Sequence, residues 1–432
     1  MKLLLSLLFS GVLCLQAQPL LTLKDALSIA SNQNYDLQVA KNDQLLAQSQ
    51  EYYGNAGEHP VYTFAAGNNF QLIGVNQKLA NGNEIVRNGV PSNAFNTQLG
   101  ISYPIFNKSR TRAVKSRFSE QTAIAKQRSC AEYQNVSAQV IQKYSEIYRL
   151  QRLLKLLQVS LEVSKQRQEL VSNRLALGLA ANTDLYLAEL DLNTRKQELV
   201  NQELAFRQSK SALNTILAEP ADNDFSVSDT IFVNSELNFQ NLLDNAKQNP
   251  EIQMALSQSR VLEWLEKEAH TLRLPSVRLN GGLAAALSNT TAGFLLQNAS
   301  YGPFLGASLS VPLFNREIFD KQEQLVAIQR KTTDIRSKSL LNSIEGNLYR
   351  IYEAYRTYLA NIPVENKNMD TAKKYLELVL ERYKLNQSNS IELREAQLSY
   401  EQSVYRLVSA QFSAKTAETE LLRLAAILPV EN

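Results

Sequence analysis

The stretches Tyr103-Pro104-Ile105-Phe106-Asn107 and Val311-Pro312-Leu313-Phe314-Asn315 decide the predicted fold. Each one ends a segment of alternating apolar and polar residues and opens a long segment of helical character, and the two lie about two hundred residues apart. The sequence further along repeats as well, because Arg174-Leu175-Ala176-Leu177-Gly178 matches Arg382-Tyr383-Lys384-Leu385-Asn386. The 432-residue chain is therefore predicted to contain one structural module twice.

Each module is predicted to hold a first helix, a β-hairpin, a long helix and a return helix, in that order. In the first module, at 18–218, the last three elements are predicted at 61–104, 107–177 and 184–217. In the second module, at 237–432, they are predicted at 276–312, 315–385 and 391–427. The first helices are predicted as single segments at 23–57 and 237–272. A linker at 219–236, which contains Pro220 and Ile231-Phe232-Val233, is predicted to join the modules and to hold a short strand.

The long helices are predicted from the scarcity of residues that break helices. Between Pro104 and Pro220 the sequence has no proline, and its only glycine is Gly178. A helix of about 70 residues at 1.5 Å per residue spans on the order of 100 Å. The second copy contains Gly346 and Pro363, which predict a kink or an interruption there.

The predicted strands alternate between apolar residues and small or polar ones, as in Phe95, Leu99 and Ile101 against Asn96 and Gln98. Each run is about ten residues long, the length of a tilted transmembrane strand with lipid on one face and water on the other. A soluble hairpin on a protein core explains any single strand equally well, but four matching strands behind an export signal favour a membrane. Four strands cannot close a barrel, so two or more chains must associate, and a wide lumen favours three chains with about twelve strands.

The first 17 residues are predicted to be a signal peptide, because Lys2 precedes an apolar run that ends before Leu15-Gln16-Ala17. Cys14 leaves with this segment, and the two large residues before it argue against a lipid anchor. The mature chain then keeps only Cys130, which predicts that it has no internal disulfide. The formal net charge is +3 and the charges are interspersed, so no nucleic-acid partner is predicted.

No group of residues in the sequence predicts an enzyme, a cofactor or a metal site. There is no G-x-S-x-G elbow and no phosphate-binding loop, and a hydrolase therefore has no support. The two histidines, His59 and His270, each precede a predicted strand, and a polar residue at a helix end is the favoured interpretation of both. The sequence after the signal peptide contains no long uncharged apolar stretch, so no membrane-spanning helix is predicted there.

The chain resembles the TolC family of outer-membrane efflux proteins over essentially its whole mature length. The resemblance rests on the module order, on the Pro-Ile-Phe and Pro-Leu-Phe strand ends, and on three segments: Leu21 to Ala30, Arg382-Tyr383-Lys384-Leu385, and Ile391-Glu392-Leu393 with Ala396-Gln397. It implies an α+β membrane protein with an internal repeat. It further implies a homotrimer in which a long α-helical coiled-coil barrel crosses the periplasm and joins a transmembrane β-barrel in outer-membrane lipid. The implied partners are a periplasmic adaptor protein and an inner-membrane pump of the RND or ABC type.

The turns between the long helices and the return helices contain the candidate functional residues. Gly178 and Asn386 can each adopt the left-handed conformation that ends a helix, and a role limited to making the turn is an open alternative for both. Thr183 or Asp184 can cap the first return helix, and Ser390 can cap the second.

Glu392 and Glu395 are three residues apart and share a helix face. Spacing alone favours a solvated surface, whereas the resemblance implies an acidic ring that narrows the tunnel and prefers cations. The resemblance also implies bonds that close this periplasmic tip, with Thr183 and Asp184 on one side and Tyr383 on the other.

The predicted function is a passive exit duct of a tripartite efflux or secretion system, gated at its periplasmic tip and used by small molecules. Two alternatives are an outer-membrane channel for type I protein secretion and a soluble periplasmic coiled-coil scaffold. Ser388 stands where the best-known family member has an arginine, which leaves open how tightly the tip closes. Because the acidic pair and Pro363 both lie in the second copy, that copy is predicted to contain the moving part of the gate.

Overall fold

The computed structural model describes residues 20–54, 59–106, 108–228, 232–314 and 316–428, so the predicted signal peptide and Cys14 lie outside the described residues. The helices are α1 (Leu23–Gln33), α2 (Tyr35–Gly54), α3 (Lys108–Ala176), α4 (Asn182–Leu217), α5 (Phe239–Ala246), α6 (Pro250–Thr271), α7 (Arg316–Lys384) and α8 (Ser390–Leu424). The strands are β1 (Leu20–Leu21), β2 (Val61–Lys78), β3 (Glu84–Phe106), β4 (Ser226–Val227), β5 (Ser276–Thr290) and β6 (Gln297–Ser310).

The chain forms two compact units, and neither coincides with a predicted module. The first unit comprises the described residues within 1–41, 128–252 and 340–432, and the second comprises those within 42–127 and 253–339. Each unit contains parts of both modules, because side chains of one module pack on side chains of the other. For example, Leu153 and Leu156 of α3 share a buried cluster with Val404 and Val408 of α8.

The core of the first unit contains two similar clusters, one for each module. The first cluster includes Ala26, Val140, Ile147, Leu213 and Leu217. The second includes Leu242, Leu348, Tyr355 and Leu421. Full burial of one large aliphatic or aromatic side chain contributes about 1.5–3 kcal/mol of stability. These clusters therefore supply much of the free energy that holds each long helix against its return helix.

The first helix of each module, predicted as one segment, is broken in the structure by a buried asparagine. Asn34 separates α1 from α2; its Nδ2 donates to the carbonyl oxygen of Ile216 at 2.8 Å, and its Oδ1 accepts from the backbone N–H three residues later at 3.1 Å. Asn249 separates α5 from α6 in the same way, with its Nδ2 3.0 Å from the carbonyl oxygen of Leu424. Asparagine side chains compete with the helical backbone for hydrogen bonds, and here they interrupt the helix. The prediction of a single first helix in each module was therefore wrong.

Helix α7 continues without interruption through Gly346 and Pro363, so the predicted interruption is wrong. Pro363 is exposed, and water can therefore bind the backbone carbonyl that loses its helical partner. Buried contacts of Tyr355 and Leu376 hold the helix on both sides of the proline. Among the described residues, no helix has both the length and the apolar character that crossing a membrane requires.

Strands β2, β3, β5 and β6 form one antiparallel sheet in that order. They contain 18, 23, 15 and 14 residues and are longer than the predicted ten. The register places Phe64 beside Leu99 and Leu99 beside Leu283, so the apolar face continues across three strands. In the single chain these side chains are 74%, 53% and 58% exposed, which marks a surface that requires a partner or lipid.

The sheet has two open edges and one extension. Within the described chain, β2 and β6 each pair with a neighbour on one side only. The pairing of β3 with β5 begins at Ser92, so residues 74–91 form a two-stranded extension beyond the other strands. Gly282 of β5 pairs with Gly100 of β3; its φ is 157°, and a Cβ there would collide with the carbonyl oxygen of Leu99.

The linker at 219–236 contains a short strand, as predicted. Strand β4 pairs in parallel with β1, whereas Ile231 lies outside the described residues and Val233 is in no strand. Tyr144 of α3 fixes this small sheet, because its hydroxyl donates to the carbonyl oxygen of Leu21 at 3.0 Å and accepts from the backbone N–H of Ser228 at 3.1 Å.

Candidate functional site

The turn from α3 to α4 has the geometry predicted from Gly178. This residue has φ 71°, and its N–H donates to the carbonyl oxygen of Leu175 at 2.9 Å. The N–H of Leu179 then donates to the carbonyl oxygen of Arg174 at 2.8 Å. A left-handed residue that allows these two bonds satisfies carbonyl groups that the end of a helix leaves free.

The turn from α7 to α8 repeats this arrangement around Asn386. Its φ is 60°, and its N–H donates to the carbonyl oxygen of Tyr383 at 3.2 Å. The N–H of Gln387 donates to the carbonyl oxygen of Arg382 at 2.8 Å. Asparagine tolerates the left-handed conformation better than most residues, which explains why it can replace glycine here.

The start of α4 uses Asp184, one of the two predicted residues, whereas the cap of α8 differs from the prediction. Asp184 acts at the start of α4, where its Oδ2 accepts from the backbone N–H of Ala181 at 3.2 Å, while Thr183 lies inside the helix. The cap of α8 is Asn389 rather than Ser390, because the Oδ1 of Asn389 accepts from the backbone N–H of Glu392 at 2.8 Å. Both bonds satisfy N–H groups that the first turn of a helix leaves free.

Arg174 connects the two turns. Its Nη2 donates to the carbonyl oxygen of Tyr383 at 2.6 Å, and its guanidinium carbon lies 4.6 Å from the centre of the Tyr383 ring. Tyr383 is 2% exposed and packs with Val171 of α3 and Leu393 of α8. The structure thus brings Arg174 to Tyr383, while the Asp184 carboxylate binds its own turn. No local sequence pattern indicates this contact, although the match between the two copies singles out Arg174 and Arg382.

Arg382, the equivalent residue of the second copy, binds within its own turn. Its Nη1 is 3.2 Å from Oε1 of Glu392, and its Nη2 donates to the carbonyl oxygen of Gln387 at 3.0 Å. Ser388 donates to the other oxygen of Glu392 at 2.6 Å. The serine that departs from the family pattern therefore binds the acidic residue. The ion pair is partly exposed, so its contribution is about 0–1 kcal/mol.

The two acidic residues of the tip are not equivalent. Glu392 has both carboxylate oxygens bound, by Arg382 and Ser388. Glu395 is exposed and forms no ion pair with any side chain that the structure describes. A carboxylate beside a guanidinium contributes less net charge to its surroundings than an unpaired one, so Glu395 is the stronger source of negative potential at this turn.

Two buried ion pairs lie further from the turns, where α3, α4 and α8 meet. Arg167 of α3 is 2.9 Å from Asp191 of α4, and Arg195 of α4 is 2.9 Å from Glu401 of α8. The four side chains are 3%, 9%, 9% and 12% exposed. Separating such a pair leaves an uncompensated charge in a medium that solvates it poorly, so the pairs fix the relative positions of the three helices.

Gln397 and two serines join these ion pairs into one network. The Nε2 of Gln397 lies 2.6 Å from Oγ of Ser160 and 3.3 Å from Oγ of Ser164. Ser160 donates to Glu401, and Ser164 donates to Asp191 at 3.2 Å. Burial raises the pKa of the Glu401 carboxyl above its usual range, against the opposing effects of the bonds from Ser160 and Arg195. The network borders a groove of about 600 Å³ lined by apolar residues such as Leu153, Leu156 and Tyr405.

The described residues show no group of three or more His, Cys, Asp and Glu side chains arranged to hold a metal ion. His270 lies with its Nδ1 3.6 Å from Glu323, and Cys130 is an exposed free thiol.

The comparisons with known proteins agree with the resemblance. The family model described as outer membrane efflux protein matches residues 26–219. No sequence among curated proteins is similar enough to count as a match. The chain is similar in structure to the outer membrane protein VceC from Vibrio cholerae, with 17% identity, a TM-score of 0.77, and coverage of 94% of this chain and 96% of that one.

Two further channels have the same fold. The CmeC outer membrane channel of Campylobacter jejuni has 16% identity, a TM-score of 0.80, and coverage of 94% of this chain and 85% of that one. The open state of the MtrE outer membrane channel of Neisseria gonorrhoeae has 18% identity, a TM-score of 0.72, and coverage of 94% and 88%. The α+β fold with an internal repeat is therefore confirmed. Residues 26–219 match the model of the outer membrane efflux protein family, and the described chain as a whole has the fold of these outer-membrane channels.

Proposed function

We propose that this chain is the outer-membrane exit duct of a tripartite efflux system. It is a passive channel, located in the outer membrane of a Gram-negative cell and extending into the periplasm. The family match and the shared fold support this function and location. The sheet is the observation that carries the proposal: its apolar face stays exposed across three strands, and its other face is small and polar.

The open edges of the sheet support a trimer. Unpaired backbone groups are not tolerated in lipid, so the edge of β6 must pair with β2 of a neighbouring chain. Three chains with four strands each give a closed barrel of twelve strands, wide enough for a water-filled lumen. The partners in this proposal are a periplasmic adaptor and an inner-membrane pump of the RND or ABC type. No cofactor and no reaction are part of it.

The gate in this proposal is the pair of turns with Gly178, Thr183, Asp184, Tyr383, Asn386, Glu392 and Glu395. Gly178 and Asn386 end the long helices, and Asp184 stabilises the start of α4. Tyr383 is the buried contact that a moving second turn must release. Opening is a rotation of the tip helices that contact with the adaptor favours, and the second turn is the moving part.

Purification and planar-bilayer recording test the proposal. We expect a detergent-dependent trimer that conducts ions in a bilayer. A chain that is monodisperse and soluble without detergent would instead support the periplasmic scaffold. If the channel conducts and an exported protein rather than small molecules depends on it in cells, type I secretion is the better assignment.

Two substitutions of Glu395 provide a matched pair for testing the ion selectivity of the channel. Glu395→Ala is expected to lower the cation-to-anion permeability ratio, because it removes a free carboxylate near the axis. Glu395→Asp is the matched control, because it keeps the negative charge at the same position. Equal effects of the two substitutions, or no effect of either, would remove this ring from the proposal.

A further inference from the structure

Arg278 is the only charged residue in the part of the sheet that all four strands share. This part comprises residues 61–71, 92–106, 276–290 and 297–310. The other charged residues of these strands, Lys78, Glu84 and Arg87, all lie in the two-stranded extension, where Lys78 and Glu84 are 3.7 Å apart. A single cation in an otherwise uncharged surface dominates the local electrostatic potential.

The register places Arg278 on the small, polar face. Arg278 lies beside Pro104 on β3 and Ser308 on β6, and side chains of directly paired residues share a face. Two residues along β5, Asn280 accepts from the hydroxyl of Ser102 at 2.9 Å and donates to the hydroxyl of Ser308 at 3.2 Å. Because residues i and i+2 of a strand point to the same side, Arg278 shares the face of this polar row.

The environment of Arg278 leaves its charge uncompensated. The residue is exposed and forms no ion pair with any side chain that the structure describes. Arg273, five residues earlier, is by contrast bound to Asp320 and Glu323. Arg278 is the third residue of β5, at the end of the sheet that continues into the helices. A pore face at this end provides water for the charge, whereas its neighbour Leu279 points to the apolar face.

We propose that Arg278 is a selectivity residue of the channel, which places three positive charges around the lumen where the sheet meets the helices and favours small anions there. This inference rests on the proposed trimeric channel. Three charges at about 10 Å from the axis, in water and partly screened by salt, change the anion-to-cation permeability ratio by about two- to fourfold. The duct would then hold two charged levels of opposite sign, Arg278 in the barrel and Glu395 at the tip.

Charge-bearing thiol reagents test the proposal in planar bilayers. The background is Cys130→Ser, because Cys130 is an exposed free thiol. In this background, Arg278→Cys is expected to lower the anion-to-cation permeability ratio two- to fourfold. A cationic methanethiosulfonate reagent should restore the ratio, and an anionic reagent should lower it further.

Leu279→Cys is the matched control, one residue away on the opposite face, and neither reagent should change its permeability ratio. The proposal is overturned if Arg278→Cys conducts with an unchanged ratio, or if the reagents act equally at both positions. Should Arg278→Cys fail to assemble, the same two- to fourfold change is expected for Arg278→Gln, and an unchanged ratio would have the same meaning. If the unsubstituted chain forms no channel, the proposed function itself fails. This result is distinct from a channel that conducts but whose permeability ratio does not depend on Arg278.

Discussion

Arg174→Ala is predicted to loosen the contact between the two helix turns by about 2 kcal/mol. The substitution removes a charged donor 2.6 Å from the carbonyl oxygen of Tyr383 and a guanidinium 4.6 Å from its ring. A hydrogen bond to a charged group contributes about 1.5–3 kcal/mol, and a cation–π contact adds about 0.5–1 kcal/mol. The carbonyl oxygen keeps a second bond, from the N–H of Asn386 at 3.2 Å, so the lower part of the combined range applies.

Hydrogen–deuterium exchange of the assembled protein in detergent measures this effect. A change of about 2 kcal/mol shifts an opening equilibrium about 30-fold, so amides of α7 and α8 near Tyr383 should exchange about 30-fold faster. Arg174→Lys keeps a cation but loses the forked donor, and we expect an intermediate rate. Arg382→Ala is the matched control, because its bonds lie within one turn. Unchanged exchange in Arg174→Ala, or an equal increase around Tyr383 in Arg382→Ala, would show that Arg174 does not hold the two turns together.

Three further predictions concern stability. Asp191→Ala leaves the buried Arg167 guanidinium unpaired and is expected to lower the free energy of unfolding by about 3–5 kcal/mol in denaturant titrations, whereas Glu198→Ala, at a 43% exposed side chain, should cost under about 1 kcal/mol. Because the folded-state pKa of Glu401 is raised, the folded protein binds a proton that the unfolded chain has already released. The stabilising contribution of Glu401 is therefore present at low pH and is lost as the pH rises through that folded-state pKa. Thermal unfolding midpoints should show wild type gaining on Glu401→Gln as the pH falls from 7 toward the ordinary carboxyl pKa of 4.5, and parallel midpoints would contradict this. Gly282→Ala should prevent assembly of the sheet, seen as loss of trimer in detergent, while Gly306→Ala, which meets open space, should assemble.

The sequence predicted those parts of the fold that depend on local chemistry. Strand β3 and the left-handed residues Gly178 and Asn386 could be predicted, because the alternation of apolar and polar residues and the preferences of turn residues are local properties of the sequence. The helix break at Asn34 could not be predicted, because it depends on a hydrogen bond to the carbonyl oxygen of Ile216, which is far away in the sequence. Pro363 indicated a break that the structure does not contain. Packing on both sides of it keeps α7 continuous despite the backbone hydrogen bond that proline cannot donate.

The candidate site was less predictable than the fold, because its contacts cross between modules. Arg174 and Arg382 occupy matching positions in the two copies, yet one binds across to Tyr383 and the other binds its own turn. Arg167 and Glu401 lie in helices whose many polar residues resemble solvated faces, and only the packing of α3 against α4 and α8 buries them. No pattern within one helix distinguishes such residues from surface charges.

The order of strands in the sheet has a consequence for how the protein folds. Phe95 of β3 pairs with Leu287 of β5, so the central ladder joins segments that are very distant in the chain. Closing a flexible loop of about 190 residues costs roughly 5 kcal/mol of entropy before any pairing compensates it. If the intervening helices fold first, the loop becomes shorter and this barrier falls. The slow step of maturation is then expected to be the closure of β3 on β5, during which the early hairpin of β2 and β3 is exposed to aggregation. Substitutions that weaken the helices would appear as a failure of the strands to join.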